Sequence, residues 1–133
     1  MKETKFRGKR IDNDEWITGY YVKGVTRHCI LKDLGGIQYD VHPESIGEYI
    51  GSYDTNNKKI FEGDIVEIFN WGIENYSIGI AQIIWDKEEL GFRISPTFQI
   101  EDSYDLIKKC LPRCKIIGNI YENGNLINGK YNI

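Results

Sequence analysis

Three carboxylates stand close together near the middle of the chain, at Glu62, Asp64 and Glu67. Paired carboxylates bind divalent metal ions or form an acid–base pair in hydrolysis. No histidine or second acidic motif follows at a defined spacing, and metal-binding motifs normally supply more ligands than this. The alternative is a structural turn, in which Gly63 permits a tight bend and Asp64 hydrogen-bonds the backbone where a strand begins. We favour the turn and expect neither a metal nor a catalytic residue here.

The chain has three cysteines, Cys29, Cys110 and Cys114, and an odd number cannot close a disulfide framework. With His28 they would supply four ligands for zinc. However, Pro112 lies between Cys110 and Cys114. Zinc sites usually have two closely spaced ligand pairs, and the sequence lacks a second pair of this kind. Nothing in the sequence marks one thiol as an activated nucleophile. Reduced, free thiols and no cofactor are therefore expected.

Basic residues are concentrated near the start of the chain, at Lys5, Arg7, Lys9 and Arg10. In a strand, Lys5, Arg7 and Lys9 would share one face near aromatic side chains, an arrangement that suits nucleic-acid phosphates. The alternative is a solvated edge strand whose lysines prevent edge-to-edge aggregation. The whole chain carries 17 basic and 20 acidic residues, a net charge of −3, which disfavours a general polyanion binder. Nucleic-acid binding is therefore the second hypothesis.

Aromatic residues offer a different kind of contact. Trp71 and Tyr76 fall in a polar stretch between two expected strands, where an exposed ring would indicate a partner surface. For Trp85, as for most aromatics, core or interface packing is the commoner role. The sequence contains no phosphate-binding loop, dinucleotide-binding glycine motif, nucleophile elbow or zinc-protease motif. We therefore expect no enzymatic activity.

The elements that position these residues are predicted to be strands. Fourteen glycines and nine tyrosines, with turn signals at short intervals, are typical of a mainly β protein. Hairpins are predicted from residues 5–10 with 16–22 and over residues 78–95. The turn at residues 62–64 leads into a strand over 65–69, a pattern often seen in SH3-like barrels. We predict a small SH3-like barrel over residues 54–133 and a β extension over residues 1–53.

The remaining segments are predicted as follows. One short helix is expected over residues 103–110, because an N-cap residue precedes it and Pro112 ends it. Residues 43–49 are expected to be irregular or a single helical turn, and residues 114–117 to form a late strand before Gly118. The chain shows no apolar run long enough to span a membrane and no secretory signal at its start. A cytoplasmic protein without a membrane partner is expected.

Several separated stretches of the sequence resemble the YopX family, a set of small phage and prophage proteins. The central stretch, DTNNKKIFEGDIVEI at residues 54–68, fits the family pattern D-x-N-x-x-x-I-[FY]-E-G-D-[IV]-V. The other stretches, in order, are KFRGKR with EWITGYY, PESIGEYIG, GFR and IIGNIYEN. The resemblance extends from Lys5 to about Ile127.

The resemblance implies a mostly β protein with an SH3-like barrel, a phage origin and a bacterial cytoplasm as the place of action. The family has no established catalytic residues, so the resemblance assigns none to this chain. We expect a non-enzymatic binding protein that forms a homo-oligomer, since small β domains commonly satisfy exposed strand edges by self-association. An unidentified phage or host protein is a further expected partner. A nucleic-acid-binding accessory protein is the alternative, and a metal-dependent hydrolase around Glu62 and Asp64 is the third.

Overall fold

A computed structural model of the chain describes residues 5–32, 36–69, 76–97 and 113–128. The chain divides into two compact units, Met1–Tyr49 and Ile50–Ile133. The described strands are β1 (Phe6–Lys9), β2 (Trp16–Lys23), β3 (His28–Leu31), β4 (Gln38–Asp40), β5 (Gly47–Tyr53), β6 (Lys59–Phe61), β7 (Asp64–Phe69), β8 (Ser77–Asp86), β9 (Gly91–Pro96) and β10 (Cys114–Asn119). A single 3₁₀ turn at Pro43–Ser45 and two short helices, α1 (Ile120–Asn123) and α2 (Asn125–Asn128), complete the described elements. The protein is mainly β, as predicted.

The first unit is an antiparallel sheet in which β4, β3, β2, β1 and the start of β5 follow one another. The predicted N-terminal hairpin is confirmed, since β1 pairs with β2 from Phe6 opposite Gly19 to Lys9 opposite Trp16. Ile30 and Val41 are buried in this unit. A Cβ at Gly8 would lie 3.0 Å from Val41, so glycine there lets the strands pack closely.

The second unit contains β6 beside the end of β5 and an antiparallel sheet of order β10-β7-β8-β9. The predicted hairpin over residues 78–95 is confirmed, with Ile83 of β8 opposite Ile94 of β9. Alternate residues of these strands face one core, because side chains along a strand point to opposite faces in turn. The core residues are Ile60, Val66, Ile68, Ala81, Ile83, Ile94 and Cys114.

Some predicted elements differ from the structure. The described strands form open sheets with linear strand orders, and no closed barrel is found within residues 5–32, 36–69, 76–97 and 113–128. The 3₁₀ turn at Pro43–Ser45 matches the predicted helical turn, but Gly47 and Glu48 belong to β5 because they pair with β1. The late strand continues through Gly118 to Asn119 by way of a β-bulge.

The helix predicted over residues 103–110 lies outside the described residues. Within the described part of the chain, no helix has the length and the apolar character required to cross a membrane.

Candidate functional site

The Glu62-Gly63-Asp64 turn is bound tightly into the second unit. Gly63 has a φ of 94°, a backbone conformation that favours glycine. The Asp64 side chain is only 1% exposed, and its Oδ2 accepts a hydrogen bond of 2.7 Å from the Phe61 backbone N–H. The Gly63 N–H donates to the Ile83 carbonyl, and the Gly63 carbonyl accepts from the Ile120 N–H, each at 2.8 Å. These contacts give the carboxylate of Asp64 a role in closing the turn.

Asp54, the first residue of the central motif, has an equally structural environment. It is 5% exposed. Its Oδ1 accepts from the backbone N–H groups of Asn56 at 2.8 Å and Lys58 at 2.9 Å. Its Oδ2 accepts from the Ile116 N–H of β10 at 3.0 Å. One carboxylate therefore shapes the turn between β5 and β6 and fixes it to a strand 62 residues away in sequence. The sequence places Asp54 at the start of the central motif, but its contact with β10 is visible only in the fold.

The last motif, IIGNIYEN, forms the junction between β10 and α1. Asn119 is the N-cap of α1: its Oδ1 accepts from the Glu122 N–H at 2.8 Å, and its Nδ2 donates to Glu122 Oε1 at 3.0 Å. The Asn119 N–H donates to Asn123 Oδ1 at 3.1 Å. A Cβ at Gly118 would lie 2.6 Å from the same Asn123 oxygen, which explains the glycine before the cap.

In the first unit, KFRGKR and PESIGEYIG are also joined by backbone contacts. Ser45 Oγ accepts from the Lys9 N–H at 2.8 Å and donates to the His42 carbonyl at 2.6 Å. The His42 N–H donates to the Lys9 carbonyl, and the Tyr49 N–H donates to the Lys5 carbonyl. The motifs of both units therefore bring together segments that are distant in sequence. Among the described residues, no group of three or more His, Cys, Asp or Glu side chains is placed to hold a metal ion.

The basic residues of the N-terminal segment have close neighbours within the first unit. Arg7 and Lys9 share one face of β1, and the Arg7 guanidinium lies 5.0 Å from the centre of the Trp16 ring. Arg10 follows the strand and forms two hydrogen bonds with Asp12, of 2.9 and 2.6 Å. Its guanidinium also lies 4.2 Å from the centre of the Tyr39 ring. Hydrogen bonding to Asp12 raises the pKa of Arg10, and the same bond lowers the pKa of Asp12.

Cys29 and His28, two of the candidate zinc ligands, have partners inside the first unit. Cys29 Sγ donates to Asp40 Oδ1 at 3.2 Å, and the same oxygen accepts two hydrogen bonds from Arg27. Burial, and secondarily the bond to Asp40, raises the pKa of the Cys29 thiol, which favours the neutral form over the reactive thiolate. His28 Nδ1 is hydrogen-bonded to the Tyr21 hydroxyl at 2.5 Å.

The other two cysteines are Cys110 and Cys114. Cys114 is buried in the core of the second unit. Cys110 lies outside the described residues.

Pairing to Arg27 and Cys29 lowers the pKa of the Asp40 carboxyl, with the Arg27 hydrogen bond as the larger cause. Because the folded pKa is depressed, this pairing stabilises the fold above the ordinary aspartate pKa and loses its effect as the pH falls through the folded value. The raised pKa of Cys29 acts in the opposite direction. Its contribution is present below the ordinary thiol pKa and is lost as the pH rises through the folded value.

Exposed aromatic and aliphatic side chains are found at the end of the β8–β9 hairpin. Trp85 and Phe92 face each other across β8 and β9 with ring centres 5.0 Å apart in an edge-to-face arrangement, and Leu90 lies in the connecting loop. Trp85 is 42% exposed and Leu90 is 76% exposed. We call Trp85, Leu90 and Phe92 the hairpin-end surface. Tyr76, a predicted contact residue, is also exposed, whereas Trp71 lies outside the described residues.

The fold and these contacts define a class: a mainly β protein whose described sequence motifs supply turns, caps and strand contacts. Comparison with known proteins then identifies the family. The family model described as YopX protein matches residues 5–128, and the chain belongs to the YopX family. No curated protein matches the chain.

A solved structure has a similar fold. It is the crystal structure of protein EF1440 from Enterococcus faecalis, with a TM-score of 0.58 and 18% sequence identity. The similarity covers 96% of this chain and 99% of that chain. At this level of identity the likeness shows the fold alone.

Proposed function

We propose that this protein is a non-enzymatic binding protein that associates with copies of itself. The observation that carries the proposal is the exposure of large apolar side chains on both units. Nine such residues occur in the described part of the chain. They are Ile11, Tyr20, Val25 and Ile37 in the first unit and Tyr53, Tyr76, Trp85, Leu90 and Ile117 in the second.

The distribution of polar groups supports the same proposal. Asp54, Asp64 and Asn119 lie in the family motifs, and their side chains accept backbone hydrogen bonds within the fold. Their role is therefore structural. Apolar and aromatic groups at the surface are what interfaces use, since binding removes their surface from water.

Light scattering coupled to size-exclusion chromatography tests self-association. Because weak interfaces are half-occupied near micromolar concentrations, we expect the mass to rise above that of one chain between about 1 and about 100 micromolar. A mass equal to one chain over the whole range would overturn the proposal. A pull-down from phage-induced host lysate, with and without nuclease, separates other partners: a protein retained in both arms indicates a host or phage partner.

A second candidate function is nucleic-acid binding through the N-terminal strand. The observation that favours it is the placement of Arg7 and Lys9 on one face of β1, with the Trp16 ring beside the Arg7 guanidinium. Cationic groups with an adjacent aromatic ring suit the phosphates and bases of a single strand. The net charge of −3 opposes this function. Because contacts to phosphates release counterions, any binding is expected to weaken as the salt concentration rises.

Fluorescence anisotropy with a labelled single-stranded oligonucleotide tests this candidate. If it holds, the Arg7→Glu/Lys9→Glu variant weakens binding at least about tenfold at low salt, because two phosphate contacts become repulsive. Lys115→Glu, an exposed charge reversal on β10, is the control and retains most of the affinity. Circular dichroism verifies that the variants are folded. Equal affinity of wild type and the double variant would exclude this surface.

We further propose that the protein is phage-derived, acts in the bacterial cytoplasm and has an SH3-like organisation over residues 54–133. Membership of the YopX family supports the origin and the compartment. The antiparallel order β10-β7-β8-β9 supports the SH3-like organisation, because three consecutive strands form a meander and the last described strand pairs with its first.

A further inference from the structure

The apolar inner face of the β8–β9 hairpin continues beyond the core. Ile83 and Ile94 are opposite each other and fully buried. Two residues further along each strand, Trp85 and Phe92 are opposite each other on the same face. Since Trp85 is 42% exposed, this face reaches solvent with an aromatic pair at its end.

Leu90 lies in the loop between these two strands, in an unfavourable backbone conformation. Its φ is 55°, in the left-handed region that leucine rarely adopts. Its side chain is 76% exposed, so most of its apolar area remains in water. Asn or Gly is the usual choice for such a backbone. Leu90 therefore presents a large apolar side chain to solvent at a loop position where leucine is uncommon.

The loop that carries Leu90 is supported by hydrogen bonds from its backbone to Asp86. Asp86 Oδ1 accepts from the backbone N–H groups of Glu88 at 3.0 Å and Glu89 at 3.3 Å. Asp86 Oδ2 lies 3.1 Å from Arg93 Nε, so its charge is compensated. Preorganisation reduces the entropy lost when a loop becomes part of an interface. The charges left at the loop surface belong to Lys87, Glu88 and Glu89, all of which are exposed.

We propose that the hairpin-end surface is the place where two copies of this chain meet about a twofold axis. In this contact Lys87 of each copy faces Glu88 and Glu89 of the other. A twofold contact requires a self-complementary surface, because the same residues face each other in both directions. An apolar centre beside a loop with both signs of charge meets this requirement, whereas a loop of one sign would repel its copy.

The size of the surface predicts a weak dimer. Three apolar side chains and one loop amount to less than a standard interface, and small interfaces give transient, concentration-dependent association. The inference rests on the proposed self-association and adds its location and symmetry.

Charge reversal tests the inference. Sedimentation velocity compares wild type with Lys87→Glu, whose loop becomes wholly acidic, and with Glu88→Lys/Glu89→Lys, whose loop becomes wholly basic. We expect each variant alone to raise the dimer dissociation constant at least about tenfold, and an equimolar mixture of the two to associate at least as tightly as wild type. Lys115→Glu, a reversal on β10, is the control and leaves association unchanged.

The Leu90→Asn variant removes an apolar side chain from the proposed interface without unfolding the protein. Asparagine tolerates the left-handed backbone, so the variant is expected to be at least as stable as wild type while its self-association weakens.

The outcomes distinguish the two proposals. A wild-type protein that is monomeric throughout overturns self-association together with this surface. If wild type associates and neither charge reversal changes the dimer dissociation constant, the hairpin-end surface is not the interface, although self-association is retained. If each charge-reversal variant associates more weakly than wild type and the equimolar mixture of the two does not regain association, the twofold arrangement is wrong.

Discussion

Two buried carboxylates show how the polar residues of the central motif are used. Asp64 accepts a hydrogen bond from the backbone at residue 61, and its place in a turn was predictable because acceptor and donor are neighbours in sequence. Asp54 accepts from residues 56 and 58 and also from residue 116. The last of these contacts depends on the sheet, so no local pattern predicts it.

The first residue-scale prediction concerns Asp54→Ala. Three backbone N–H groups lose a buried, charged acceptor, and hydrogen bonds to charged groups are the stronger ones, so we expect the free energy of unfolding to fall by about 3 kcal/mol. Urea denaturation followed by circular dichroism measures this change. Asp12→Ala, which removes an exposed carboxylate paired with Arg10, is the control and leaves the midpoint nearly unchanged. Equal midpoints for the two variants would contradict the role assigned to Asp54.

At the scale of elements, the structure explains why separated motifs occur together. The turn at residues 62–64 is bonded to β8 through Ile83 and to the start of α1 through Ile120. The cap at Asn119 then fixes α1 to the end of β10. The hairpins were predictable from alternation and turn residues. The partner strands β3 and β4 were not, because they are short and lie largely in a stretch without recognisable motifs.

Gly118→Ala is the prediction at this scale. The added methyl group would lie 2.6 Å from Asn123 Oδ1, so the cap of α1 must shift. Overpacking of this kind costs about 1–3 kcal/mol, which thermal or urea unfolding detects. At Gly91, in the same unit, the nearest atom would be 4.0 Å away, so Gly91→Ala serves as the matched control and stays close to wild type. If both alanine variants have the same unfolding midpoint as wild type, Gly118 is not required for the cap of α1.

At the scale of the whole molecule, polar side chains of the motifs form hydrogen bonds within the units. Nine large apolar side chains of the described residues are exposed at the surface. The net charge of −3 is small for 133 residues, so long-range repulsion between copies is weak. Self-association, measured as a mass that rises with concentration, is therefore the prediction that belongs to the molecule as a whole. Its location at the hairpin end is tested by the pair of complementary charge reversals.

The sequence by itself determined the mainly β class, the two hairpins and the family, because alternation, turn residues and motif order are local properties of the chain. It also indicated the turn at Gly63, since a tight bend needs a residue that tolerates positive φ. Only the tertiary structure decided which side chains are exposed. Ile83 and Trp85 lie two residues apart on the same face of β8. Trp85 is nevertheless 42% exposed at the hairpin end, whereas Ile83 is fully buried in the core. Burial depends on the neighbours that the fold brings to each position, and the identity of a residue does not contain that information.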